Sequence, residues 1–114
     1  FNQEIKPKVL PHSLHTLVFG YFFNQEIQPC VLPDKLHTLQ FGNDFDQEIK
    51  PSVLPDNLHE LILGDSFNQV IQPNVLTKNL CTLLLMCTED KGKILSAKIV
   101  KSPDLCIIYL LTVI

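Results

Sequence analysis

The chain repeats itself every 22 residues, and no other feature restricts its fold as strongly. The units FNQEIKPKVLPHSLHTLVFGYF (1–22), FNQEIQPCVLPDKLHTLQFGND (23–44), FDQEIKPSVLPDNLHELILGDS (45–66) and FNQVIQPNVLTKNLCTLLLMCT (67–88) align without a gap. Eight slots never change among the four: those of Phe1, Gln3, Ile5, Pro7, Val9, Leu10, Leu14 and Leu17. Apolar residues, a proline and an amide describe a core with its turns, not a catalytic centre. A unit this short cannot bury its apolar face alone, so each must stack on its neighbours. The expectation is a single solenoid domain over 1–88, with 89–114 as a degenerate fifth repeat or C-terminal cap. There Ile99-Val100, Pro103-Asp104 and Leu105–Leu110 resemble the repeat once small gaps are allowed.

Each unit carries an L-x-x-L-x-L rhythm: LHTLVF at 14–19, LHTLQF at 36–41, LHELIL at 58–63 and LCTLLL at 80–85. Units of this length and rhythm form the leucine-rich-repeat class. Leu17 and Phe19 alternate with Thr16 and Val18, the period of a short strand, and Gly20, Gly42 and Gly64 end it. A second alternation opens each unit, with Phe1, Gln3 and Ile5 on one face, and predicts a second strand. Phe1, Phe23, Phe45 and Phe67 then stack as an aromatic column, and Gln3, Gln25, Gln47 and Gln69 as an amide column whose members need hydrogen-bond partners. Asn2, Asn24, Asp46 and Asn68 form a ladder or cap turns. Between the two alternations lies P-x-V-L-P, whose prolines exclude a regular helix and leave extended or short 3₁₀ backbone. The fold class is therefore mainly β: a right-handed leucine-rich-repeat-like solenoid with short parallel strands and little or no α-helix.

F-N-Q-x-I at 1–5, 23–27, 45–49 (with Asp46) and 67–71, with V-L-P-x-x-L-x-x-L at 9–17, 31–39 and 53–61, resembles the FNIP repeat, a leucine-rich-repeat relative of amoebae and their giant viruses. The resemblance covers residues 1–88. It departs at the slot of Glu4, where the family often has proline and this chain has Glu4, Glu26, Glu48 and Val70. The resemblance implies an interaction array, in some members following an F-box and presenting clients to a ubiquitin ligase. No segment here reads as an F-box, so the ligase-adaptor role rests on the resemblance alone.

Net charge is −3, and all nine basic residues are lysine. Without arginine the chain lacks the planar fork that reads phosphate and guanine, so no nucleic-acid partner is expected. Lys91, Lys93, Lys98 and Lys101 form a loose basic patch that reads as a solvated face. Leu105–Ile114 is almost wholly apolar but shorter than the ~20 residues a spanning helix needs. It reads as a buried last strand, a contact surface or an aggregation-prone edge, and no membrane role is expected. Cys30, Cys81, Cys87 and Cys106 fit no metal or redox spacing and read as buried free thiols of an intracellular protein. His15, His37 and His59 form a column, but repetition alone produces such a column, and neither metal nor cofactor is expected.

The outward strand positions make two columns: Thr16, Thr38, Glu60, Thr82 and Val18, Gln40, Ile62, Leu84. Solenoids bind along extended concave faces, so these eight residues are the candidate contact surface for a protein partner. The function expected is a non-catalytic scaffold. The alternatives are the ligase adaptor and a purely structural or truncated repeat product, and open ends of the array are candidate surfaces for self-association.

Overall fold

The computed structural model describes residues 1–72, 74–87 and 106–111. Five strands form one parallel sheet in chain order: β1 (Thr16–Val18), β2 (Thr38–Gln40), β3 (Glu60–Leu63), β4 (Thr82–Cys87) and β5 (Cys106–Leu111). No helix occurs among the described residues. Successive strands pair so that Leu17, Leu39, Leu61 and Leu83 lie side by side. Each of the first four strands therefore begins one repeat further on, and the gapless 22-residue period becomes a translation from coil to coil. β5 pairs with β4 through Thr82 opposite Cys106, a step of 24 residues, so the fifth strand joins the sheet after a longer excursion. The basic patch at Lys91, Lys93, Lys98 and Lys101 lies outside the described residues.

The P-x-V-L-P segments make turns. Val9 N–H donates to the Lys6 carbonyl, and the same bond recurs from Val31 to Gln28, Val53 to Lys50 and Val75 to Gln72. Proline occupies the second turn position and presets its φ. The third position sits in the left-handed region at Lys8, Cys30 and Ser52, with φ of 69°, 70° and 72°. This is the pattern of a type II turn, which ordinarily takes Gly or Asn there. A second turn follows, with Leu14, Leu36 and Leu58 N–H donating to Pro11, Pro33 and Pro55. These two tight turns replace the 3₁₀ pieces expected from the sequence.

The expected opening strand does not form. Its residues run extended, but they join no sheet ladder beyond an isolated bridge at Ile71. The aromatic column does form: Phe1, Phe23, Phe45 and Phe67 stack with centroids 6.1, 6.4 and 6.0 Å apart. At that spacing the rings leave gaps, and strand-end phenylalanines fill them. Phe19 lies 4.0 Å from Phe23, and Phe41 lies 3.7 Å from Phe45. Ile27, Leu36, Leu39, Leu58, Leu61, Leu80 and Leu83 complete a core that runs through the stack. A leucine fully buried in this way contributes about 1.5–3 kcal/mol.

The glycines at the strand ends let coils touch backbone to backbone. A Cβ on Gly42 would lie 2.3 Å from the Gly20 carbonyl oxygen, and one on Gly64 equally close to that of Gly42. Neither glycine has positive φ, so the requirement is one of space.

Candidate interaction surface

Two sets of side chains remain once the core is assigned: those that tie one coil to the next, and those on the solvent face of the sheet.

The first set builds a ladder from F-N-Q. Asn2 Oδ1 accepts the Asn24 main-chain N–H at 2.8 Å and the Gln25 Nε2 at 3.1 Å. Asn24 Oδ1 receives Asp46 N–H and Gln47 Nε2 at 2.8 and 3.0 Å, and Asp46 Oδ1 receives Asn68 N–H and Gln69 Nε2 at 2.8 and 2.9 Å. Each glutamine also approaches the preceding coil's main-chain oxygen at 3.3–3.4 Å. The ladder uses only an oxygen at the second slot, which is why Asp46 substitutes for asparagine there. It needs an N–H donor at the third, which is why glutamine never changes. The hydrogen bonds that a strand would have made across the sheet are thus supplied partly by side chains.

A parallel amide tie was not foreseen from the sequence. Asn57 Nδ2 donates to the Asp34 carbonyl at 2.9 Å, and Asn79 Nδ2 to that of Asp56 at 2.7 Å. The slot holds Ser13, Lys35, Asn57 and Asn79, so the repeat comparison alone marked it as variable and unconstrained.

The sheet's solvent face carries both predicted columns. Register places Thr16 beside Thr38, Thr38 beside Glu60 and Glu60 beside Thr82. Val18, Gln40, Ile62 and Leu84 are aligned in the same way. Thr16 and Val18 are exposed, and the other six are half-buried, lying against neighbours above and below. The second column is largely apolar, broken by Gln40, and Glu60 supplies one carboxylate to the first. Adjacent strands stand about 4.8 Å apart, so the face offers an evenly spaced, mostly uncharged strip.

Beside this strip runs the histidine column. The His37 and His59 rings stack with centroids 4.2 Å apart and planes within 12°. His37 Nδ1 lies 3.4 Å from Thr38 Oγ1, and His59 Nδ1 lies 2.6 Å from the Asn57 carbonyl. Parallel rings aim their nitrogens side by side, not toward a common point. Among the described residues no group of three or more His, Cys, Asp or Glu is placed to hold a metal ion.

The thiols correct the sequence reading. Cys30 and Cys81 are free and exposed, not buried. Cys30 occupies the third position of its turn, where the side chain projects outward, and Cys81 Sγ donates to the His59 carbonyl at 3.4 Å. On another side of the coils Lys50 Nζ meets Glu26 Oε1 at 2.9 Å. The hydrogen bond and charge of Glu26, with a smaller contribution from Glu48, hold the Lys50 ammonium above its ordinary pKa. No helix among the described residues is long and apolar enough to cross a membrane.

An exposed aromatic pair also went unmarked. Tyr21 and Phe22 meet edge to face at 5.0 Å and are 59% and 66% exposed. The next coils carry Asn43-Asp44 and Asp65-Ser66 in those slots, and that contrast is the signal by which the sequence distinguishes the pair.

The FNIP repeat family model matches residues 1–44 and 45–87. Comparison with the curated proteins finds no match. Among solved structures the chain is similar to CroV588, described as a novel circular leucine-rich-repeat protein, at 36% identity and a TM-score of 0.79. The similarity covers 96% of this chain and spans 16% of that one.

Proposed function

We propose that this chain, which belongs to the FNIP repeat family, is a non-catalytic scaffold that binds a protein partner along the solvent face of its sheet. The observation that carries the reading is the second strand column. Val18, Gln40, Ile62 and Leu84 differ from coil to coil, while the inward leucines beside them at 17, 39, 61 and 83 are invariant. Folding requires the inward residues, and it leaves the outward ones free to match a surface. Repeat columns set like beside like, whereas acid–base chemistry needs unlike groups converging in a pocket. The chain therefore does no chemistry in this reading. A solenoid curves where its two sides differ in spacing, and the similar structure is circular, which supports taking the strand face as the wall of a concavity. The partner gains several shallow contacts, centred on the Gln40–Ile62 pair.

The test compares quantitative capture of cellular partners by the chain and by the triple variant Val18→Lys, Gln40→Lys, Ile62→Lys, after matched thermal melts. Specific loss of partners from the variant is the expected result. Equal capture by both, or none by either, refutes the assignment of this face.

A further inference from the structure

The solvent face of the sheet is long in one direction only. β2 and β3 hold three and four residues, about 10–13 Å of strand, whereas across the strands the face repeats at every coil. Each of the three middle strands has a neighbour on both sides. The placement of Thr38 and Gln40, Glu60 and Ile62, and Thr82 and Leu84 on this face therefore does not depend on either end of the array. All six side chains are half-buried.

The step from coil to coil selects the kind of backbone that can lie along it. At the two ends of the strands that step measures 4.2 Å between the His37 and His59 rings and 5.2 Å between the Phe19 and Phe41 rings. These values bracket the ~4.8 Å between paired strands. A helix returns a side chain to one face at every turn, about 5.4 Å. An extended peptide does so at every second residue, about 6.6 Å. Over the two steps from Gln40 to Leu84 a helix drifts out of phase by about 1.2 Å, and an extended chain by about 3.6 Å. The width of a helix, about 10–12 Å, also matches the length of the strands, so one helix laid across them reaches both columns.

The chemistry of the face specifies what the partner carries. Ile62 and Leu84 lie side by side as an aliphatic stripe next to Gln40, and Thr38 and Thr82 flank Glu60 with short hydroxyl side chains. Glu60 is the one charged residue of the six, and its carboxylate has no hydrogen-bond or ion-pair partner among the described residues. A partner that closes over the face takes water from this carboxylate, and a desolvated charge left unpaired opposes binding. The partner must therefore bring a cation to it. We infer that the partner on the strand face is an amphipathic α-helix lying across the strands, with apolar side chains one turn apart on Ile62 and Leu84 and a lysine or arginine against Glu60. The inference rests on the reading of the strand face as the binding surface and adds the class of the partner to it.

The experiment is a display selection against the 114-residue chain with two libraries of peptides about 16 residues long, about 24 Å when helical. One library is randomised on one face of a helix held by a side-chain staple, because free helices of this length are marginal in water. The other is randomised in an extended frame punctuated by proline. Enriched peptides are titrated by fluorescence anisotropy against the wild type, Ile62→Lys and Glu60→Lys, with thermal melts showing that both variants fold. The expected winners are stapled helices with a basic residue beside an apolar stripe. Ile62→Lys should weaken them roughly tenfold or more, and Glu60→Lys roughly tenfold through like-charge repulsion. Exchanging the peptide's basic residue for glutamate should recover binding to Glu60→Lys. Extended winners that Ile62→Lys weakens leave the strand face as the binding surface and overturn the helix. Winners indifferent to Ile62→Lys overturn the strand face and the helix with it. Helices indifferent to Glu60→Lys, or no enrichment from either library, also overturn the inference.

Discussion

Replacing Gln47 by glutamate tests the ladder at a single atom. The change is nearly isosteric and leaves the core untouched, but it exchanges an N–H donor for an oxygen. Gln47 Nε2 lies 3.0 Å from Asn24 Oδ1 and 3.3 Å from the Asn24 carbonyl, so a carboxylate there faces two oxygens. The lost hydrogen bond is worth about 1 kcal/mol, and leaving a half-buried acceptor unmatched adds about 1–2. The sum is about 2–3 kcal/mol at neutral pH, or roughly 10 °C in melting midpoint for a chain of this size. The penalty belongs to the charged form, so folding raises the pKa of the new carboxyl above its unfolded value of about 4.3. Below that value both states are protonated, the carboxyl O–H donates, and most of the stability returns. As the pH rises through the unfolded and then the folded pKa, the stability is lost. Urea melts of Gln47→Glu and wild type at neutral and acid pH read the difference directly. Asn24→Asp is the companion, because that slot uses only an oxygen, and it should be close to neutral. A Gln47→Glu chain that melts like the wild type at neutral pH refutes the donor argument. So does one whose deficit does not shrink in acid, or an Asn24→Asp chain as weak as Gln47→Glu.

Gly42→Ala should destabilise by about 2 kcal/mol or more, because its Cβ would press on the Gly20 carbonyl at 2.3 Å. Gly20→Ala, with open space around it, should change the thermal midpoint little. Residues from one coil should improve another: Cys30→Asn places a tolerant residue at φ 70° and should add a few tenths of a kcal/mol to about 1 in denaturant melts. Thr77→Pro restores the proline of the first three coils and removes a buried hydroxyl that has no partner among the described residues. It should add about 1–2 kcal/mol if Thr77 already has a φ that proline accepts.

The period, the strand at the second and third leucines and the face each strand turns inward were legible in the linear sequence. They depend on spacing and on apolar alternation, and both survive without coordinates. Leu17, Leu39, Leu61 and Leu83 sit side by side because the repeat has no gaps, and the outward columns follow from the same fact. The opening segment reads as a strand in the sequence, and the reason it is not one is equally physical. F-N-Q-E-I alternates as a strand does, but hydrogen bonding decides whether extended backbone is a ladder, and here Asn and Gln side chains take over part of that pairing. Exposure of Cys30 was illegible because it depends on a left-handed turn residue that no cysteine predicts.

The sequence by itself thus determined that the chain must stack, at what period, and with which leucines and phenylalanines inside, since a short unit has no other way to bury them. Only the tertiary structure decided which atoms join coil to coil. A hydrogen bond's direction is a property of two groups brought together from 22 residues apart, as at Asn24 and Asn2. In the F-N-Q ladder that direction is the same at each step, from an N–H of the later coil to an oxygen of the earlier one, a regularity that no single repeat displays.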